Sequence, residues 1–146
     1  MDYKLELSDE AHEEIRQKIV APLVDYNISK AGPSNGRPLV ITVRDSSGTT
    51  IGGLCGSTGY QWLFTQLLVV PESLRGCGVG TELMRMAEAE AMARGCHGAW
   101  LDTFEFQARG FYEQIGYACF AELPEYPSGF SRFFMKKSLV GDVPHC

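Results

Sequence analysis

Leu67-Leu68-Val69-Val70-Pro71-Glu72-Ser73-Leu74-Arg75-Gly76-Cys77-Gly78-Val79-Gly80-Thr81 decides the architecture of this chain. An apolar run ends at a proline. A short loop follows, then a basic residue, three alternating glycines and the start of a helical pattern. Passage from a buried strand into a helix marks an α/β protein. Glycine lets the backbone approach a ligand closely and adopt positive φ. The first turn of a helix has N–H groups without intrahelical acceptors and the positive end of the macrodipole. Together these features form a socket for a phosphate or diphosphate. Arg75 adds a forked, permanently charged donor at its mouth.

Three kinds of phosphate loop compete for this pattern. The ATP-type loop requires a Gly-Lys pair, and the chain has none. A dinucleotide fingerprint needs a third glycine where Thr81 stands, and this loop begins too late in the chain for the usual nucleotide-binding half. The third kind is Arg-Gly-x-Gly-x-Gly after an apolar strand.

Outward from the loop, periodicity yields the other elements. Leu83, Met84, Ala87 and Ala91 form one stripe of a helix from Val79 or Gly80 to Arg94, closed by Gly95. Leu39, Ile41 and Val43 alternate with Val40, Thr42 and Arg44, Asp45-Ser46-Ser47-Gly48 turns, and Thr50 to Ser57 returns as the second strand of a hairpin. Gly52 and Gly53 weaken that strand or mark a bulge. Tyr60 to Val70 is the third strand, Ala99 to Phe104 the fourth, Tyr117 to Ala121 the fifth and Phe130 to Lys137 the last; a short helix covers Gln107 to Ile115. Near the start, Ser8 is positioned to cap a helix bearing Ile15, Ile19, Leu23 and Tyr26, which Pro22 should kink or divide. The expected fold is a mixed α/β sheet flanked by helices, a single domain over residues 1–146, with a mobile tail from Gly141 to Cys146.

Composition narrows the function. The chain has 146 residues, 45% of them hydrophobic, and a formal net charge of −5. That charge disfavours a general nucleic-acid surface and favours a cationic acceptor. No apolar run reaches membrane-spanning length, and Met1-Asp2-Tyr3-Lys4-Leu5-Glu6 lacks the apolar core of a signal peptide. Five dispersed cysteines without a Cys-x-x-Cys pair, and three isolated histidines, argue against a disulfide framework or a zinc site. The expected setting is cytoplasmic, with no metal and no membrane.

A second segment sharpens the reading: Gln107-Ala108-Arg109-Gly110-Phe111-Tyr112-Glu113-Gln114-Ile115-Gly116-Tyr117. Arg75, Gly78 and Gly80 fit the pattern [RQ]-x-x-G-x-[GA], and Ala108, Tyr112, Gly116 and Tyr117 fit A-x-x-x-Y-x-x-x-G-[FY]. Both patterns, in this order and separated by one helix and one strand, resemble the GNAT N-acetyltransferase superfamily over roughly residues 36 to 139. The run from Leu101 to Ala108, with Tyr126-Pro127-Ser128-Gly129, looks like a subgroup of small bacterial members.

The resemblance implies acetyl-CoA as co-substrate and direct acetyl transfer to a primary amine of a small molecule. It implies that pantetheine runs along Leu68, Val69 and Val70. Arg75, Gly76, Cys77, Gly78, Val79, Gly80 and Thr81 would hold the diphosphate, with Cys77 and Val79 acting through their main chain. Tyr112 matches the tyrosine that protonates the departing thiolate; a phenol of pKa about 10 suits that step. A homodimer is expected by resemblance alone. Where many members carry asparagine, this chain has Glu105, so a side-chain amide contact is not carried over. Glu105 and Asp102 are alternative bases. Tyr26, Trp62, Tyr126 and Phe130 are candidate walls of the acceptor pocket, and Glu122 and Glu125 can attract an ammonium group. Two alternatives remain open: transfer to a protein amine, or a non-catalytic acyl-CoA-binding regulatory module.

Overall fold

The computed structural model describes residues 1–140, so the tail from Gly141 to Cys146 lies outside the described residues. Its internal contacts separate into two units, residues 1–34 and 35–146.

The first unit is built on α1 (Glu13–Ala31), in which no residue is buried. Its surface carries i,i+4 pairs, Gln17 to Glu13 at 2.8 Å and Lys18 to Glu14 at 3.4 Å, each adding a few tenths of a kcal/mol. Two expectations are corrected here. Ser8 does not cap it; its hydroxyl accepts the N–H of Glu10 at 3.0 Å in a local turn, and the N-cap is His12. Pro22 does not divide it, because the helix runs unbroken across that residue. Proline removes one hydrogen bond there without ending the helix.

The second unit is a six-stranded sheet with β1 (Arg37–Arg44), β2 (Thr50–Gly59), β3 (Trp62–Val69), α2 (Val79–Ala93), β4 (Gly98–Phe104), α3 (Arg109–Gln114), β5 (Ala118–Leu123) and β6 (Arg132–Ser138) in chain order. In space the strands lie β1-β2-β3-β4-β6-β5. Only β3 and β4 run parallel; the other described pairs are antiparallel. The stripe Leu83, Met84, Ala87 and Ala91 of α2 is buried with Leu39, Leu54, Leu63, Ala99, Leu101 and Met135 of the sheet. Each fully buried leucine stabilises the fold by about 2 kcal/mol.

Tyr60 and Gln61 do not begin β3 as the sequence reading expects. Both have positive φ, 46° and 67°, and they form the two-residue turn joining Gly59 to Trp62. A tight hairpin requires left-handed backbone at both positions, and the turn takes it from two non-glycine residues.

A bulge then shapes β3. Cys55 pairs with Leu67 but Gly56 pairs with Thr65, so Gln66 is an extra residue. Such an insertion bends its strand. Gly56 faces the bulge so closely that a Cβ there would lie 2.3 Å from the carbonyl oxygen of Phe64. Gly56→Ala should therefore cost about 2 kcal/mol or more through overpacking. Urea unfolding of the variant checks this, and an unchanged midpoint would refute the close approach.

Buried charge links the helices to the sheet. Glu88, 7% exposed, accepts hydrogen bonds from Lys137 Nζ at 2.6 Å and from the Tyr117 hydroxyl at 3.2 Å. Burial first, and then Glu88, push the Tyr117 phenol well above its ordinary range.

Candidate active site

The parallel pairing of β3 with β4 ends at Thr65 and Leu101, although β3 continues to Val69 and β4 to Phe104. Beyond Gln66 the two strands therefore diverge. A cleft of about 700 Å³ opens between them, lined by Leu68, Val69, Val70, Arg75, Gly80, Asp102, Phe106, Phe111 and Tyr112 among others. Its size suits a ligand of cofactor dimensions.

One end of the cleft is the glycine loop. Gly76 and Gly78 both have φ of +79°, and a Cβ at either would meet nothing within 4 Å. Gly78 is the N-cap of α2 and no side chain caps that end. The N–H of Glu82 already bonds the Gly78 carbonyl at 3.0 Å, so Val79, Gly80 and Thr81 form the first turn, whose donors lack intrahelical acceptors. The N–H of Cys77, in contrast, donates to the Leu74 carbonyl at 3.3 Å within the loop. Arg75 lines the cleft and forms no salt bridge among the described residues. Unpaired positive charge beside open N–H groups fits a diphosphate. Gly80 is small for another reason: a Cβ there would lie 3.3 Å from the Phe111 ring, which joins α3 to the start of α2.

Tyr112 stands on α3, facing the cleft, and is 8% exposed. The turn before α3 fixes it. Gln107 Oε1 accepts the Phe104 N–H at 2.9 Å and the Thr103 hydroxyl at 3.3 Å. Burial, and secondly the charge of Asp102, push the Tyr112 phenol above its usual pKa. The phenol is therefore neutral and can donate a proton throughout the neutral range.

The sequence matches the profile of the acetyltransferase (GNAT) family over residues 4–117. The chain belongs to this family. It is 43% identical over 131 residues to acetyltransferase Atu2258 of Agrobacterium fabrum, covering 90% of this chain and 96% of that protein. A blasticidin-S acetyltransferase from Streptomyces morookaense is 42% identical over 93 residues, 63% of this chain and 68% of its own. A crystal structure of a proposed acetyltransferase from Agrobacterium tumefaciens superposes with a TM-score of 0.88 at 41% identity, covering 93% of this chain and 99% of that one. The mixed sheet with its flanking helices is thus a GNAT fold, and the chain is a GNAT acetyltransferase.

Other expected site residues of this acetyltransferase are placed unevenly. Trp62 begins β3, whereas the cleft begins at Gln66. It packs on His97 with ring centroids 5.5 Å apart and is not brought to the cleft. Strand geometry separates it from Val69 by about 23 Å. Tyr26 belongs to α1, where it is exposed with Lys30 Nζ 5.8 Å from its ring centre. Tyr126 and Phe130 join an aromatic row with Phe104 and Phe106, and Phe106 opens on the cleft.

The acidic residues turn out to be anchors. Asp102 Oδ1 receives Nε and Nη2 of Arg132, at 3.0 and 2.5 Å. Glu105 Oε2 accepts the Ser131 N–H at 2.8 Å, which ties the β4–α3 turn to the loop before β6. Glu122 accepts the Ser131 hydroxyl at 2.6 Å and Glu125 the Gly129 N–H at 3.0 Å. The described residues contain no cluster of three or more His, Cys, Asp or Glu able to hold a metal ion, and no helix long and apolar enough to cross a membrane.

Proposed function

We propose that this GNAT acetyltransferase transfers acetyl directly from acetyl-CoA to the primary amine of a small molecule. One observation carries the reading: a single cleft is lined by the cation Arg75, by Gly80 at the start of α2 and by the buried phenol of Tyr112. The diphosphate binds to Arg75 and to the backbone of Gly76, Gly78, Val79, Gly80 and Thr81. Pantetheine lies along Leu68, Val69 and Val70, whose β4-facing edge has no strand partner. There the main chain offers groups that a peptide-like ligand can pair as a further strand would.

The thioester is thereby fixed beside Tyr112. The neutral amine attacks the carbonyl carbon, the C–S bond breaks, the phenol delivers its proton to the sulfur, and the surplus proton on nitrogen passes to solvent, from which the phenolate is reprotonated. Holding both reactants in line removes several kcal/mol of barrier. The Streptomyces relative is named a blasticidin-S acetyltransferase, which supports a small-molecule acceptor.

A thiol-release assay with a panel of amines, run beside thermal shifts with CoA, tests the proposal. Acetyl-CoA should raise the melting temperature and amines should release CoA. Arg75→Ala should raise KM for acetyl-CoA about 10-fold, the cost of one charge-assisted contact, with kcat little changed. If CoA produces neither a thermal shift nor heat on folded protein, the cleft is not a CoA site.

A further inference from the structure

Phe106 has two neighbours that give it an uncommon setting. Phe104 stacks on one face, with centroids 5.2 Å apart and planes 6° from parallel. Phe130 stands nearly perpendicular to it, at 5.1 Å and 78°. The rings form a corner, with Phe106 as floor and Phe130 as wall. Phe106 lines the cleft that holds Tyr112, yet it is 55% exposed, and Phe130 is 43% exposed. Tyr126 extends the row, 5.8 Å from Phe104.

On the loop that carries Phe130 the charges are unbalanced. Arg132 is spent on Asp102 and lies against the rings of Phe104 and Tyr126. Glu105, Glu122 and Glu125 all fold onto the loop that carries Tyr126 and Phe130, and no Lys, Arg or His pairs with them among the described residues. Three carboxylates without a cationic partner among the described residues are therefore bound to Gly129 and Ser131, the residues on either side of Phe130. Ring faces are negative and attract cations, and flat rings stack on them without reorganisation. An ordinary alkylamine would use the charge and leave the rings wet.

We propose that this corner is the specificity platform for the acceptor, and that the preferred acceptor is an amine whose body carries a flat cation: an amidinium, a guanidinium or a protonated heteroaromatic ring. The flat group lies on Phe106 with its edge against Phe130, and the reactive amine reaches past Asp102 toward the thioester. This inference rests on the amine-acetyltransferase reading for its functional meaning. Binding at the corner is a separate, measurable property.

Calorimetry with three primary amines tests it, each titrated into the protein alone and into its CoA complex. The probes are 4-(aminomethyl)benzamidine, which has ring and cation; benzylamine, which has the ring; and 1,6-diaminohexane, which has a second cation without a ring. The benzamidine should bind about 10-fold more tightly than either of the others. Phe106→Ala and Phe130→Ala, both at exposed positions, should each abolish that preference while the Kd for CoA stays unchanged. Equal affinities, no binding of any probe, or a preference that survives in both variants would overturn the platform. Failure of CoA itself to bind would count against the transferase reading alone, since the titrations without CoA still interrogate the corner.

Discussion

A Tyr112→Phe variant will bind acetyl-CoA as the parent does and acetylate its acceptor about 100-fold more slowly, the usual effect of losing a positioned general acid. The substitution deletes one oxygen. Among the described residues no other group hydrogen-bonds that hydroxyl, so folding should lose little. The pH profile separates this role from a packing role. Burial and Asp102 raise the phenol above its normal value of about 10, so it is protonated throughout the neutral range. The deficit should thus be constant between about pH 6 and pH 9, instead of shrinking as the solution becomes alkaline. Stopped-flow thiol release at saturating acetyl-CoA measures it. Wild-type rates in the variant would remove Tyr112 from the chemistry, and a raised KM with unchanged kcat would make it a binding residue.

The second large effect concerns stability. Lys137→Met should cost about 3 kcal/mol, the low end for breaking a buried ion pair. Lys137 keeps some water contact at 27% side-chain exposure, but Glu88 at 10% has little. The damage comes from leaving the Glu88 carboxylate with only the Tyr117 hydroxyl. Removing both charges together should therefore be milder than removing one. The double variant Glu88→Leu/Lys137→Met should recover most of the loss in urea unfolding. If the single and double variants are equally destabilised, methylene packing of Lys137 matters more than its charge.

The core, the helix boundaries of α2 and the glycine loop were legible in the sequence because each rests on local periodicity or on backbone freedom. Leu83, Met84, Ala87 and Ala91 recur at helical spacing, and all four are buried. What escaped were relations between distant residues. Glu88 has no place in the sequence reading, although it lies four residues after Met84 and three before Ala91, inside the apolar stripe; that position was the available clue. Its partners are 29 and 49 residues away. Asp102 and Arg132, 30 apart, are likewise joined only by strand register. Trp62 reads as a pocket wall because it lies on the third strand, and strand length then keeps it away from the cleft end of that strand. Phe106 was missed although Phe104-Glu105-Phe106 alternates at a strand end. Its role depends on Phe130, which only the folded loop brings beside it.

β3 and β4 run parallel in a sheet whose other described pairs are antiparallel. To lie parallel, the chain must leave the carboxyl end of β3, travel back across a face of the sheet and re-enter alongside. That return journey is α2, so its positive pole is delivered beside the gap where the two strands part company. The electrostatic asymmetry of the cleft is thereby a product of chain direction: whichever residues fill the loop, the route itself presents an amide-rich pole at one end of the opening.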